Sequence, residues 1–319
     1  MASRTLSAQE ILLVRNYMAE AIGVSIGENK AYLIDSRLSP IVADTGARDL
    51  LDLIAKAKAD PSRRLHDRIV DALTTHETFW FRDERAWAAL REAALPSLVT
   101  AFRASGRPKF RIWCAACSTG QEPYTLAMLL DTLCSEGRLG GLAPAQIELL
   151  ATDVAPDTLK AAAAGQYNAI EIQRGLADVW KNKYFAPVPG GDRWVIAESL
   201  RRRVSFKRFN LQDDPTSLGR FDFILCRNVA IYFEESVRHQ LFRRLQATLQ
   251  PDGLLMLGGS ESLLGLADLY TTENLGGSLF YRRRSALPTA GAKLPAAPGP
   301  SAARSLPAAS PLPPVPGRR

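Results

Sequence analysis

A chain of 319 residues with 46% hydrophobic and 23% charged residues has the make-up of a globular protein of one large domain or two ordinary ones. No apolar run nears the roughly 18–20 residues that span a bilayer, and the opening MASRTLSAQE lacks the apolar core of a signal peptide, so neither membrane insertion nor export is expected and the cytoplasm is the expected compartment. The net charge of +7 is concentrated at one end: residues 285–319 hold Lys293, Arg304, Arg318 and Arg319 and no acid, leaving 36 basic against 33 acidic residues elsewhere, a footprint too weak to predict a nucleic-acid partner.

Residues 6–75 carry helical periodicity only. Ser7 is placed to cap a helix whose apolar positions Ile11, Leu12, Val14, Tyr17, Met18 and Ile22 recur at helical spacing and stop near Gly23. Further helices are predicted over 30–43, with Pro40 expected to end or kink it, over 50–58 and over 62–73. A small all-α domain, residues 1–75, is the result. The segment TTHETFWFRDERAW (74–87) then has two readings from composition: a domain-joining stretch that buries Phe79, Trp80 and Phe81, or a loop over a ligand pocket with Arg82 pointing in.

From Phe110 onward strand and helix alternate. Strands are predicted at 110–116, 147–153, 194–196, 204–209, 221–227, 253–257 and 278–282, with helices at 123–134, 155–164 and 236–249. Such alternation implies a parallel sheet covered on both faces, and the short connection before the last strand predicts an antiparallel return at the edge. Residues 286–319 hold nine of the twenty prolines, and the Pro/Ala-rich stretch 285–319 is read as a disordered tail, with PLPPVP as a possible polyproline ligand.

The stretch FRIWCAACSTGQEPY (110–124) is a strand, a small-residue turn and a helix start, where backbone N–H groups can meet a ligand. Glu122 opens that helix with an acid, which suits hydroxyl or ammonium groups better than phosphate, and neither GxxxxGK[ST] nor GxGxxG occurs in the turn. Three further strands end in residues suited to a nucleoside: Asp153 for a ribose diol, Asn210 and Leu211 for an adenine edge, and Arg227 and Asn228 leading into Tyr232. An adenosine carrying a cationic amino-acid arm fits best, which prefers S-adenosylmethionine to NAD or ATP. Cys114, Cys117, Cys134 and Cys226 lie within apolar patterns and are read as reduced; the CxxC at 114–117 has no second ligand pair, and His66, His76 and His239 form no HxH or HxxxH, so no metal is expected.

With those residues in view, the chain resembles the chemotaxis-receptor glutamate O-methyltransferases, the CheR-type family, over residues 6–284. The carrying motifs are TTHETFWFRD (74–83), CAACSTGQEPY (114–124), ATD (151–153), FNL (209–211), CRNVAIYF (226–233) and GGSES (258–262). The resemblance implies a class-I methyltransferase-like doubly wound α/β sheet with an antiparallel last strand over 76–284. It also implies a preceding small all-α domain and a small antiparallel β-subdomain at about 185–209. It places His76, Thr78, Arg82, Glu122, Asp153, Asn210, Leu211, Arg227 and Asn228 around S-adenosyl-L-methionine, which leaves as S-adenosyl-L-homocysteine, and sets Arg82 and Tyr232 beside the transferred methyl. The expected substrate is a glutamate side chain on the cytoplasmic helical bundle of a methyl-accepting chemoreceptor, met by a monomer through Lys30, Arg37 and the β-subdomain. The run Arg201-Arg202-Arg203 is either a solvated face or a second contact with that bundle. Three positions depart from the family pattern: His76 stands where Asn is usual, Gln121 where Glu is frequent, and Pro40 where the second helix continues with arginines. His76, Pro40 and the proline-rich tail motivate an alternative, a methyltransferase-like scaffold that binds a cofactor or nucleotide without transfer.

Overall fold

The computed structural model describes residues 6–263 and 265–284. Four helices come first: α1 (Ala8–Ile22), α2 (Ala31–Thr45), α3 (Leu50–Ala59) and α4 (Arg64–Leu73). At the start of α1, Ser7 Oγ accepts from Glu10 N at 3.2 Å and Ser7 N donates to Glu10 Oε2 at 3.0 Å, a reciprocal cap, and Gly23 closes the helix. Val14, Met18, Ile34, Leu38, Leu53, Ile69 and Val70 share one buried cluster. Pro40 neither ends α2 nor shortens it. The helix runs on to Thr45, with the exposed proline at a position where only one carbonyl loses its partner.

Residues 84–105, unassigned from sequence, form α5 (Glu84–Ala89), a single π turn (Leu90–Ala94) and α6 (Leu95–Ser105). The alternating region follows as β1 (Phe110–Ala115), α7 (Gln121–Ser135), β2 (Ile147–Asp153), α8 (Pro156–Ala164), β3 (Gln166–Asn168), α9 (Ala169–Gln173), α10 (Asp178–Tyr184), β4 (Phe185–Pro187), β5 (Arg193–Ile196), α11 (Glu198–Arg201), β6 (Val204–Arg208), β7 (Phe221–Cys226), α12 (Glu235–Thr248), β8 (Leu249–Met256), β9 (Tyr270–Leu275) and β10 (Ser278–Arg283).

Seven strands make the main sheet in the order β6-β2-β1-β7-β8-β10-β9, with β10 antiparallel to both neighbours. Strand order reverses between β1 and β7, and Ala115 is level with both Thr152 and Cys226, so the carboxyl ends of three strands open at one place. The β-run FDFILC of β7 is buried on both faces: Phe223 and Leu225 join one core, Phe221, Ile224 and Cys226 the other.

Two expectations about the sheets change as well. The last strand is antiparallel but not at the edge: it inserts between β8 and β9, because residues 270–275, unread as a strand, form the outer partner of a tight hairpin turning at Gly276-Gly277. The small sheet has the order β3-β5-β4, so it begins at Gln166, while Val204–Arg208, which fell within the expected 185–209, pairs in parallel with β2 in the main sheet. In the arginine run, Arg201 donates to Ala164 O, Arg202 pairs with Glu198 and Arg203 with Asp131. The expected tail, residues 285–319, lies outside the described residues.

Candidate active site

A cleft opens above the carboxyl ends of β1, β2 and β7, and His76, Thr78, Arg82, Glu122, Asp153, Asn210, Leu211, Arg227, Asn228 and Tyr232 all line it. The residues read at strand ends and those that the resemblance implied, His76, Thr78 and Arg82 among them, thus share a single cleft. Its geometry is held by an unusual backbone. Six non-glycine described residues have positive φ, and five of them (Phe81, Asp83, Ala116, Ser118 and Asn228) sit in the segments that border the cleft. Phe81, Ala116 and Ser118 cost roughly 1–2 kcal/mol each in this conformation, and Asp83 and Asn228 less, a local strain that surrounding contacts must over-determine.

In the opening turn, Asp153 does that work. Its carboxylate accepts Ser118 N at 2.8 Å and Ala155 N at 3.0 Å, tying the β1 turn to the end of β2. Burial pushes the Asp153 carboxyl up, and those N–H groups pull against the rise. Cys117 N donates to Thr152 O beneath them. Cys114 and Cys117 are free, buried in the core, and burial raises both thiols well above the ordinary range.

Opposite, Arg227 is the hub. Its side chain is 1% exposed and donates to Glu122 Oε2 at 2.8 Å, Asp83 Oδ2 at 2.6 Å and Arg82 O at 2.9 Å. One guanidinium therefore fixes the α7 start, the end of β7 and the loop that carries Arg82. Burial raises the Glu122 carboxyl, with Arg227 opposing the rise. Beyond Arg227 the chain turns through Asn228 at φ 57°, and Glu261 captures the turn: its carboxylate accepts from the N–H of Asn228, Val229, Ala230 and Gly258 at 2.7–3.0 Å. A Cβ on Gly258 would lie 2.4 Å from Asn228 Nδ2, so the close approach requires glycine there.

The 74–87 segment divides between its two readings: of Phe79, Trp80 and Phe81 only Trp80 is buried, the other two being half-buried. Trp80 is fully buried, edge-on to Tyr167 and Phe185, whereas Thr75, His76, Thr78, Phe79 and Arg82 face the cleft. Among the described residues, the one hydrogen bond of the Arg82 side chain runs from Nη1 to Glu77 O at 3.1 Å, and its guanidinium lies over the Phe79 ring. His76 has its imidazole within 2.9–3.3 Å of Asp71 O, Thr74 Oγ1 and Thr158 Oγ1, a knot between α4 and α8.

The helical region closes the remaining wall. Ile22 and Val24 line the cleft, Asn210 Nδ2 donates to Ala21 O at 2.8 Å, Ser25 N donates to Tyr232 O at 2.8 Å, and Val24 bridges Phe233. Asn210 Oδ1 accepts Gln212 N, so much of its amide is committed to the frame. Arg37 turns inward and donates to Ala72 O and Thr74 O at the end of α4, while Lys30 is exposed. Asp83 and Glu261 escaped the sequence reading: neither ends a strand, and only GGSES, quoted as a motif without a role, marked Glu261.

A parallel sheet with an antiparallel penultimate strand and a nucleoside-suited cleft at its reversal point is the class-I methyltransferase arrangement. Residues 76–276 match the family model described as CheR methyltransferase, SAM binding domain. The chain is 37% identical over 270 residues to chemotaxis protein methyltransferase Cher2 of Pseudomonas putida, covering 85% of this chain and 96% of that one. It is 38% identical over 272 residues to chemotaxis protein methyltransferase 1 of Pseudomonas aeruginosa, with 85% and 97% covered, and 36% identical over 283 residues to the chemotaxis protein methyltransferase of Vibrio parahaemolyticus, with 88% and 99% covered. Among solved structures, a TehB-like SAM-dependent methyltransferase from Corynebacterium glutamicum is similar at TM-score 0.32 and 16% identity, over 63% of this chain and 96% of that one. The chain belongs to the CheR methyltransferase family, and its cofactor is S-adenosylmethionine.

Proposed function

We propose that the protein esterifies glutamate side chains on the helical bundle of a chemoreceptor, acting as a monomer in the cytoplasm. The observation that carries the reading is Arg82, a guanidinium at the cleft with no hydrogen bond to a side chain among the described residues. The donor set fits S-adenosylmethionine: Glu122 offers a carboxylate where a pyrophosphate binder would offer N–H groups and Lys, and Asp153 closes the second strand. That cofactor supplies an electrophilic methyl on a sulfonium.

The residues of this chain then have little acid–base work. A glutamate carboxylate is already ionised near pH 7, so an acceptor needs orientation and exclusion of water, not deprotonation. Arg82 holds that carboxylate through charge-assisted hydrogen bonds and the Tyr232 hydroxyl orients it, while Phe79 and Phe233 line the same cleft with apolar surface. His76, Thr78, Glu122, Asp153, Asn210, Leu211, Arg227 and Asn228 are assigned to the cofactor side. No observation among the described residues favours the scaffold alternative.

Purified protein with labelled cofactor and membranes bearing a chemoreceptor is expected to yield base-labile methyl ester on the receptor; cofactor binding with no ester formed would refute the assignment. Arg82→Ala should lower turnover by about a hundredfold or more, since orientation of a reactant is worth several kcal/mol, and leave cofactor affinity within a few-fold. Near-normal turnover by that variant would remove Arg82 from the reaction.

The pH dependence follows from Glu122. Its carboxyl sits above the ordinary glutamate range because it is buried, so it takes up a proton at a higher pH than an exposed glutamate. Cofactor affinity is expected to be full above that raised pKa and to fall as the pH drops through it. Calorimetric titration from pH 8 to pH 5 reads this directly, and Glu122→Gln should flatten the profile.

A further inference from the structure

Just outside the cleft, Arg174 follows α9 and makes an ion pair with Glu77, whose carboxylate meets both of its terminal nitrogens. Arg174 Cζ lies 5.2 Å from the Phe79 ring centroid and Arg82 Cζ lies 5.5 Å from the same centroid, so one ring carries two guanidinium groups. The backbone holds the arrangement in place: Trp80 N donates to Arg174 O at 3.1 Å and Trp80 Nε1 to Glu171 O at 2.9 Å. Gly175, at φ +87°, would place a Cβ 2.1 Å from Trp80 O, so that approach is open to glycine alone.

Such an exposed pair, with side chains 46% and 51% accessible, adds about 0–1 kcal/mol to folding. Its consequence lies elsewhere. Glu77 lines the cleft, and its own carbonyl already accepts from Arg82. A Glu77 carboxylate released from Arg174 has a neighbouring cation in reach, Arg82, and would occupy the guanidinium meant for the acceptor. Hydrogen bonding to Arg174 holds the Glu77 carboxyl below the ordinary range, so it stays an anion at working pH.

We propose that Arg174 is a positioning residue that sequesters the Glu77 carboxylate and so keeps Arg82 free for the acceptor. This rests on the reading above that Arg82 meets the acceptor carboxylate. Full-length wild type, Arg174→Ala, Glu77→Gln and the double variant are compared for acceptor KM, kcat and cofactor Kd. Arg174→Ala is expected to raise the acceptor KM about tenfold through competition by an intramolecular anion, with cofactor Kd within about twofold. Glu77→Gln should behave as wild type, and the double variant should recover to within about threefold, a coupling that separates a competitor from a lost contact. Wild-type behaviour of Arg174→Ala, or a double variant no better than it, overturns the proposal. If wild type methylates no receptor, the functional reading fails by itself. The sequestration is then still read from the Arg82 Nε–H resonance, which must shift in Arg174→Ala and return in the double variant; an unmoved resonance overturns it.

Discussion

Arg227→Ala is expected to destroy cofactor binding and to cost the fold about 3–5 kcal/mol, the usual effect of removing one partner from a buried ion pair. The substitution leaves Glu122 buried without its cation, and burial already penalises that carboxylate. It also frees Asp83 and the carbonyl of Arg82, the two anchors of the loop bearing the acceptor-side arginine. Loss of one group therefore opens the cleft from both sides. Arg227→Lys provides the control. A lysine restores a positive charge and part of the stability, but its compact ammonium cannot span three acceptors as a planar guanidinium does. Urea unfolding should rank wild type above Lys above Ala, and calorimetry should find cofactor affinity reduced at least a hundredfold in both variants. Affinity within tenfold of wild type in either one would show that the hub does not organise the cofactor side.

Glu261→Ala carries the second large effect. Four backbone N–H groups lose their acceptor together, and an unsatisfied buried donor costs about 1–3 kcal/mol. Water can reach part of the turn, so a net loss of about 2–4 kcal/mol is expected. Asn228 would relax from its left-handed conformation, and Tyr232, on the short 3-10 turn Ala230–Tyr232, would lose its setting. Turnover should fall at least a hundredfold. Glu261→Gln separates charge from shape: one oxygen still accepts, while the amide N–H₂ faces donors, so its turnover should lie between wild type and Ala. Equal activity of all three forms would assign the turn's geometry to something other than this carboxylate.

Much of the site was legible because parallel sheets concentrate their chemistry at strand ends. Glu122, Asp153, Asn210 and Arg227 each follow an apolar run that marks its own terminus, so local pattern alone located them. What stayed hidden depends on distant pairing. Glu261 acts on residues 31–33 positions earlier, and nothing local tells such an acid from a solvated one. Arg174 reads as a surface charge until the fold sets it against Glu77. Strands β3, β4 and β9 carry no long apolar run: a three-residue strand such as Phe185–Pro187 has too little pattern to register, and YTTENL is an edge whose outer face is polar. Pro40 misled for a related reason, since a helix already buried along Ile34, Leu38 and Ile41 tolerates the loss of one exposed backbone bond.

The stitching of α1 to the cleft has a consequence for the order in which the molecule matures. Asn210 holds Ala21 across 189 residues of chain, and Val24 and Ser25 are bound by Phe233 and Tyr232. Closing loops of that length delays the contacts they reward. During synthesis the first helix leaves the ribosome long before its partners at 210–233 exist, so it must wait until four of the seven strands of the main sheet, β1, β2, β6 and β7, have emerged. The wall it supplies is among the first parts of the protein to be made and among the last to be put to use.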